Sequence, residues 1–471
     1  MSFSTLQTAL TSLLSQRRAM DLIGHNVANA NTDGYTRRRV ELDPLGGTAA
    51  NGFWSRTTQV GNGVDVVGIT RMREEFLDLR VRAQMDRAGS STRLAEIYSH
   101  VEGLIPEPSD SGVAAQLSAF WSAWSAAAAR PGDLPTRSAV LSRAETLTHS
   151  LSSTAKSLTD YRNQLENDTR VTVAQVNADT ARIAQLNGAI VTAVATGVDA
   201  GDLQDQRDLL IDRVVSNTGA TFRTRDDGAV DVFLGGGTLV RGMSSESLAV
   251  VKGGTLDPPH DTLPMQRIEV RWALDGYPVQ SLGGALAADV TALSTVVPGA
   301  LRELDAVAAD VVASVNALHL TGHGLDPVAA VALNFFDPAG VTASTIAVSA
   351  DVAGNPSRIA LAALTAGDLD GSLGHAISSL AESTSGADAK FRNLIGRLGV
   401  EAQSATSSAT IATRISNQVQ QERKDTTGVN LDEEMAALVA TQHAYEAAAR
   451  LLTAADEMLD QLINRTGVVG R

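Results

Sequence analysis

Large apolar residues near the start of the chain stand at Phe3, Leu6, Leu10, Leu13, Met20 and Val27, with Arg17 and Gly24 in the remaining places of the same stripe. Steps alternating between three and four predict a helix whose apolar seam faces another helix. Asn29-Ala30-Asn31-Thr32-Asp33-Gly34 then predicts a stop, because these residue types tolerate turn and left-handed angles. The far end of the chain mirrors the first. Leu431, Met435, Leu438, Gln442, Tyr445, Ala449, Leu452, Asp456, Leu459 and Ile463 again step by four and three, with Gln442 and Asp456 as polar exceptions. Asn430 or Thr427 is placed to cap this helix, and Glu433 completes a capping-box spacing from Asn430. At ~1.5–3 kcal/mol per large buried side chain, one such seam left in water forfeits roughly 10 kcal/mol. Each seam therefore needs a partner, and the other end of the same chain is the nearest candidate.

Between these ends the pattern changes twice. Residues 72–104 and 113–129 read as helices separated by Pro106-Glu107-Pro108, and Phe120, Trp121 and Trp124 read as core. Residues 136–195 contain no proline, and Leu151, Leu158, Leu165, Val176, Ile183, Leu186 and Ile190 predict one very long helix or two in sequence. From residue 201 to about 378 the chain reads as a β-containing insert. A hairpin is expected around Asp226-Asp227-Gly228, with Val230, Val232 and Leu234 on one face. Further strands are expected at 238–241, 248–251, 267–272 and 345–348, an exposed loop at 257–264, and a helix at 285–318. Residues 386–421 return to helix through Phe391, Leu394, Ile395, Leu398, Ile411, Ile415 and Val419. The expected fold is mainly α with a β-containing insert. Residues 1–34 and 429–471 form a terminal coiled coil, 35–200 with 386–428 a long-helix bundle, and 201–385 an outward-facing mixed β domain.

Composition narrows the function. A chain of 471 residues is too long for one ordinary core, so two to four domains are expected. A net charge of -15 disfavours nucleic-acid binding. No cysteine is present, which excludes disulfides and thiolate-held metals. The first residues lack a basic segment followed by an apolar run, so no cleaved secretory signal is expected. No uncharged stretch reads as a membrane span; residues 285–297 come nearest, interrupted by Asp289.

Candidate chemistry is sparse. His319 and His323 lie four apart, but Gly322 and Gly324 break the helix and no acid stands between them, so a solvated helix end is expected rather than a metal site. Gly235-Gly236-Gly237-Thr238 lacks the lysine of a phosphate loop. Asp226-Asp227 and Asp368-Asp370 read as turns, and no carboxylate pair stands out for acid–base work. Arg37-Arg38-Arg39 reads as a surface loop, with a salt-bridging role towards a partner subunit as the alternative. No catalytic residue, cofactor or metal is expected.

Residues 22–37, Leu-Ile-Gly-His-Asn-Val-Ala-Asn-Ala-Asn-Thr-Asp-Gly-Tyr-Thr-Arg, resemble the N-terminal motif of flagellar rod, hook and hook-associated proteins. Residues 428–435 and 442–450 resemble the matching C-terminal motif, and Gly428-Val429-Asn430-Leu431-Asp432-Glu433 is most similar to the family's hook–filament junction members. The resemblance implies a structural subunit joining hook to filament, extracellular and exported through the type III apparatus. It implies a ring of about eleven copies, contacts with hook protein and with a second junction protein at the filament base, and an export chaperone on the C-terminal helix. Phe3–Val27 with Leu431–Ile463 would then be the assembly seam, and Asn26, Asn29, Asn31, Gly34 and Tyr35 the helix exit. Another axial member, hook or distal rod, and an unrelated secreted helical protein are the alternatives.

Overall fold

The structure, a computed structural model, describes residues 3–46, 61–255, 265–325 and 330–461. Helix α1, Phe3–Ala28, stops at the expected Asn/Gly turn, where Gly34 takes a φ of 79°. Strand β1, Arg38–Pro44, pairs antiparallel with β2, Val64–Arg71. Apolar periodicity gives no sign of this pair, since most of its side chains are exposed or half-buried. Helix α2, Glu75–Leu104, precedes the proline break, and α3 is Val113–Ala129. Helix α4, Leu134–Ala195, is one unbroken helix of 62 residues, about 90 Å at 1.5 Å per residue. All seven of its expected stripe residues are buried.

Residues 201–218 depart from the sequence reading. They form a helix, α5, Gly201–Thr218, and not the start of the β-containing insert. Its apolar face, Ile211, Val214 and Val215, packs into the core, while its other face carries the aspartates described below. The β layer then follows largely as expected. β3 (Thr221–Thr224), β4 (Val230–Leu234), β5 (Gly237–Arg241) and β6 (Ser244–Ser245) form a four-stranded antiparallel sheet in chain order. Val230, Val232 and Leu234 share its buried face. β7 (Leu248–Thr255) pairs with β8 (Gln266–Trp272). The loop expected at 257–264 lies outside the described residues. The strand expected at 345–348 does not form; only Phe336 and Val348 make an isolated bridge.

Helix α6, Gly284–Thr291, runs through a π turn at Ala292–Val296 into α7, Val297–His319. This 36-residue run is, by length and composition, apolar enough to cross a membrane, although it carries Asp289, Arg302, Glu303, Asp305 and Asp310 and so is not an uncharged stretch. Its apolar face lies in the protein core, with Leu293, Val297, Leu304, Val311 and Val315 buried. Helix α8 is Ser372–Ser378.

Helix α9, Ala387–Thr427, runs back along α2, as Arg80–Glu422, Thr92–Thr413 and Arg423–Asp78 contacts require. Phe391, Leu394, Leu398 and Val419 are buried, but Ile411 and Ile415 face solvent on the far side of α9. Helix α10, Leu431–Asp460, is capped by Asn430, whose Oδ1 accepts from the backbone of Asp432 at 3.0 Å and Glu433 at 3.4 Å.

One core runs from α2 through α3, α4, α5, the β layer and α7 to α9. Its densest part is aromatic: Phe120, Trp121, Trp124, Phe335 and Phe336 meet edge to face or tilted. Helices α1 and α10 contribute to none of the buried apolar clusters among the described residues. They pack on each other instead, so the two chain ends form a separate rod.

Candidate assembly site: the terminal helix pair and its junction

Asn26 near the end of α1 bonds to Glu434 near the start of α10, so the two helices run antiparallel. Ala9, Ser15, Leu22, Ile23 and Asn26 on α1, and Glu434, Ala448 and Ala455 on α10 are buried, and of these only Leu22 and Ile23 are large apolar side chains. On α10 the buried apolar residues are both alanines, small side chains that let helix axes approach closely.

Leu6, Leu13, Met20, Val27, Leu438, Leu452 and Leu459 are half-buried, and Leu431 and Tyr445 are exposed. Leu10 is 51% and Met435 51% exposed, with Leu14 and Val439 beside them also in solvent. On α10, Leu451 and Met458 form a second exposed apolar strip on the opposite flank. Phe3 lies in α1, and Ile463 lies outside the described residues. The single chain thus hides one face of each helix and leaves apolar flanks uncovered.

The helix exit is a polar knot. Asn26 Nδ2 donates to Glu434 Oε2 at 3.0 Å and to the Arg38 carbonyl at 3.0 Å. Its Oδ1 accepts from the Tyr35 hydroxyl at 2.7 Å and from Arg38 N at 3.2 Å. All the hydrogen-bonding capacity of one buried amide is used to bind chain segments at both ends. Burial pushes the Tyr35 hydroxyl up to about 12, with Arg38 opposing and Asp205, Asp202 and Glu434 adding, so it remains a donor. Asn29 caps the helix end through its side chain on the His25 carbonyl at 3.0 Å. Gly34 turns the chain against Leu209, and Asn31 is exposed and outside the knot. Glu433 does not close a capping box; it pairs with Arg37 at 2.6 Å, as does Glu434 with the Arg37 Nε.

Arg37-Arg38-Arg39 is therefore not a plain surface loop. Arg38 is buried and Arg37 ties the exit to α10; Arg39 alone is exposed. Arg38 opens a ladder of ion pairs along α5. Asp202, Asp205, Asp208 and Asp212 recur every three or four residues and share a helix face. Arg38 pairs with Asp202 and lies 3.2 Å from Asp205. Arg71 at the end of β2 reaches Asp205 at 2.5 Å and Asp208 at 2.8 Å. Arg73 pairs with Asp208 and, at 2.6 Å, with Asp78. Arg82 and Arg423 hold Asp212 at 2.6 and 3.0 Å. Burial alone raises the Asp208 carboxyl, but Arg73, Arg71, Arg207 and Arg82 outweigh it and hold it below its usual range. The carboxylates that do not stand out in the sequence become visible once residues 201–218 are placed on a helix. Their cation partners come from β1, β2, the turn after it, α2 and α9, which no local spacing reveals.

The paired histidines form no such site. His319 and His323 are both buried, not at a solvated helix end. His319 Nδ1 bonds the Leu333 carbonyl at 2.6 Å and its Nε2 accepts from Ala360 N at 2.9 Å, so it locks the segment after α7 onto the aromatic core.

Residues 98–336 match the family described as flagellar hook-associated protein FlgK helical domain. Residues 6–36 match flagella basal body rod protein, and 420–465 match flagellar basal body rod FlgEFG protein C-terminal. The chain is similar to flagellar hook-associated protein 1 of Bacillus subtilis, 29% identical over 509 residues that span 100% of this chain and 99% of that one. The protein of the same name from Salmonella typhimurium is 28% identical over 263 residues, 55% of this chain and 46% of its own length. The fold is similar to that of the flagellar hook junction protein FlgK from Burkholderia pseudomallei, with a TM-score of 0.63 at 15% identity, over 73% of this chain and 99% of that one.

Proposed function

Because this chain belongs to the flagellar hook-associated protein FlgK family, we propose that it joins hook to filament as a structural subunit outside the cell. Its ends match families of the basal body rod, whereas its body matches the hook-associated helical domain. That combination favours the junction over the hook or the rod.

The observation that carries the reading is the terminal pair with its uncovered apolar flanks. Leu10 and Leu14 on α1, and Leu431, Met435 and Val439 on α10, are half-exposed side chains that neighbouring copies would cover. Each contributes on the order of 1 kcal/mol when covered, and the total is repeated at every subunit contact. Contact between one flank and a different flank of the next copy is heterologous, so it closes a ring or climbs a helix around an axis. About eleven copies form that ring in this reading, with the terminal pair innermost, the long-helix bundle around it and the β layer outermost. Hook protein lies on one side and a second junction protein of the filament base on the other. Before assembly, an export chaperone covers the C-terminal helix, and the type III apparatus exports the chain without cleaving a signal. The part transmits torque between two unlike tubes and turns over no substrate.

A strain lacking the gene tests this. Bare hooks, with filament protein lost to the medium, are the expected result. Filaments of normal length on those hooks would rule out the junction role.

A further inference from the structure

The joint between the terminal rod and the body is polar almost throughout. Neither α1 nor α10 shares a buried apolar cluster with the body among the described residues. The β1–β2 pair packs on α1 and so travels with the rod, and the Thr11 hydroxyl accepts from Val64 N at 3.4 Å. What crosses to the body is chiefly ionic: Arg38 to Asp199, Asp202 and Asp205, and Arg71 to Asp205 and Asp208, with Arg71 also donating to Gln204 Oε1 at 3.3 Å. Thr36 N adds a bond to Asp205 Oδ2 at 3.4 Å, and Arg37 N a bond to the Thr427 carbonyl at 2.8 Å.

We infer that this joint is an ionic hinge, in which the α1/α10 rod with β1–β2 turns as one unit on the fixed aspartate face of α5. The fixed half is rigid, because Ile211, Val214 and Val215 anchor α5 in the core. The moving half carries its cations at the two base positions of the hairpin, Arg38 and Arg71, which face each other in the strand register. Asp205 is the pivot, since it is the carboxylate that both arginines share. An apolar joint has one best-packed arrangement and resists rotation. Long arginine side chains along a row of carboxylates hold one arrangement while their charges are unscreened and are released when salt screens them, because each guanidinium can then move to the next aspartate along the helix. The inference rests on the coupling role: subunits between two unlike tubes need a rod and a body whose angle adjusts.

Salt reports on it directly. When the ladder opens, its charges face the solvent, where dissolved ions stabilise them, so salt favours the open arrangement. Raising sodium chloride from about 0.1 M to about 1 M shortens the screening length from about 10 Å to about 3 Å.

The chain has no cysteine, so Ser153→Cys on α4 and Ala447→Cys on α10 accept two spin labels at exposed positions. Pulsed dipolar spectroscopy on the unassembled full chain then reads the rod-to-body distance. The expected result is a narrow distribution at low salt that broadens at least about twofold at high salt, and one that is broad at both in Asp205→Asn. Arg38→Met removes the same link from the other side and replaces Asp205→Asn where that variant lacks a native circular dichroism spectrum. A narrow distribution that survives either treatment overturns the hinge, and so does a wild-type distribution already broad at low salt. Because no ring is formed in this measurement, failure of the hinge and failure of the junction role are read separately.

Discussion

Asn26 Nδ2 lies 3.0 Å from Glu434 Oε2, although the two residues are 408 positions apart. This bond joins the end of the first helix to the start of the last, and the same amide accepts from Tyr35 and Arg38 where the chain leaves for the body. The beginning, the exit and the end of the chain therefore meet at one buried side chain.

Replacing Asn26 by Asp puts a carboxylate where an amide donates to Glu434. The variant loses two donated bonds and sets two negative groups together, while Asn26→Ala only leaves partners unpaired. Asn26→Ala should cost about 1–3 kcal/mol of rod stability, and Asn26→Asp more. Hydrogen exchange along α10 measures both: protection should fall in the order wild type, Asn26→Ala, Asn26→Asp. Equal protection in all three would mean that this bond does not hold the ends together.

The two faces of α10 should respond differently to substitution. Met435→Asp changes an exposed position and should leave the free chain within about 0.5 kcal/mol of wild type, yet abolish incorporation at hook ends. Ala448→Leu forces a large side chain between the paired helices and should cost about 1–3 kcal/mol in the free chain itself. Thermal unfolding together with hook-end incorporation separates these outcomes. Normal assembly by Met435→Asp would show that its flank meets no neighbour.

Much of this architecture is legible in the sequence, and the reason is periodicity. The apolar stripe of α4 and the alternation of Val230, Val232 and Leu234 each report one buried face directly. What periodicity hides is polar. The β1–β2 pair has little apolar alternation, and α5 uses aspartates where a core helix would use leucines. The terminal helices divide their stripe: Leu6, Leu13, Met20, Val27, Leu438, Leu452 and Leu459 are half-buried, Leu10 and Met435 are half exposed, and Ala9, Ala448 and Ala455 are buried. A stripe of leucine marks a face to be covered without saying by which copy.

Stability should depend on pH through His319. Burial lowers it from its ordinary value near 6.5 to about 4, with the Leu333 carbonyl opposing and Arg137 adding. The unfolded chain therefore binds this proton before the folded one does. The contribution is fully present above about pH 6.5, shrinks as pH falls, and is gone by about pH 4, a change of about 3 kcal/mol. His319→Gln keeps a donor and an acceptor but does not titrate. Denaturant unfolding at neutral pH and near pH 4 should show a steeper loss for wild type than for the variant by about that amount. Parallel losses would mean that His319 carries its proton equally in both states.

The Asp208 carboxylate acts lower on the pH scale. Its folded value lies below the ordinary range because the surrounding arginines outweigh its burial. Its contribution is therefore complete above about pH 4 and falls away only as pH drops through the lower folded value. Asp208→Asn should destabilise the chain at neutral pH and flatten the acid limb of unfolding. An unchanged acid limb would remove Asp208 from the ladder's working charges.

The central claim is that the exposed flank of the terminal rod is covered by neighbouring copies. With no native cysteine, Leu10→Cys supplies a single thiol on that flank for labelling by a maleimide reagent. Labelling should be fast in the free chain and strongly suppressed in isolated hook–filament junctions. Equal labelling in both states would contradict the account, because Leu10 would then face water in the finished structure.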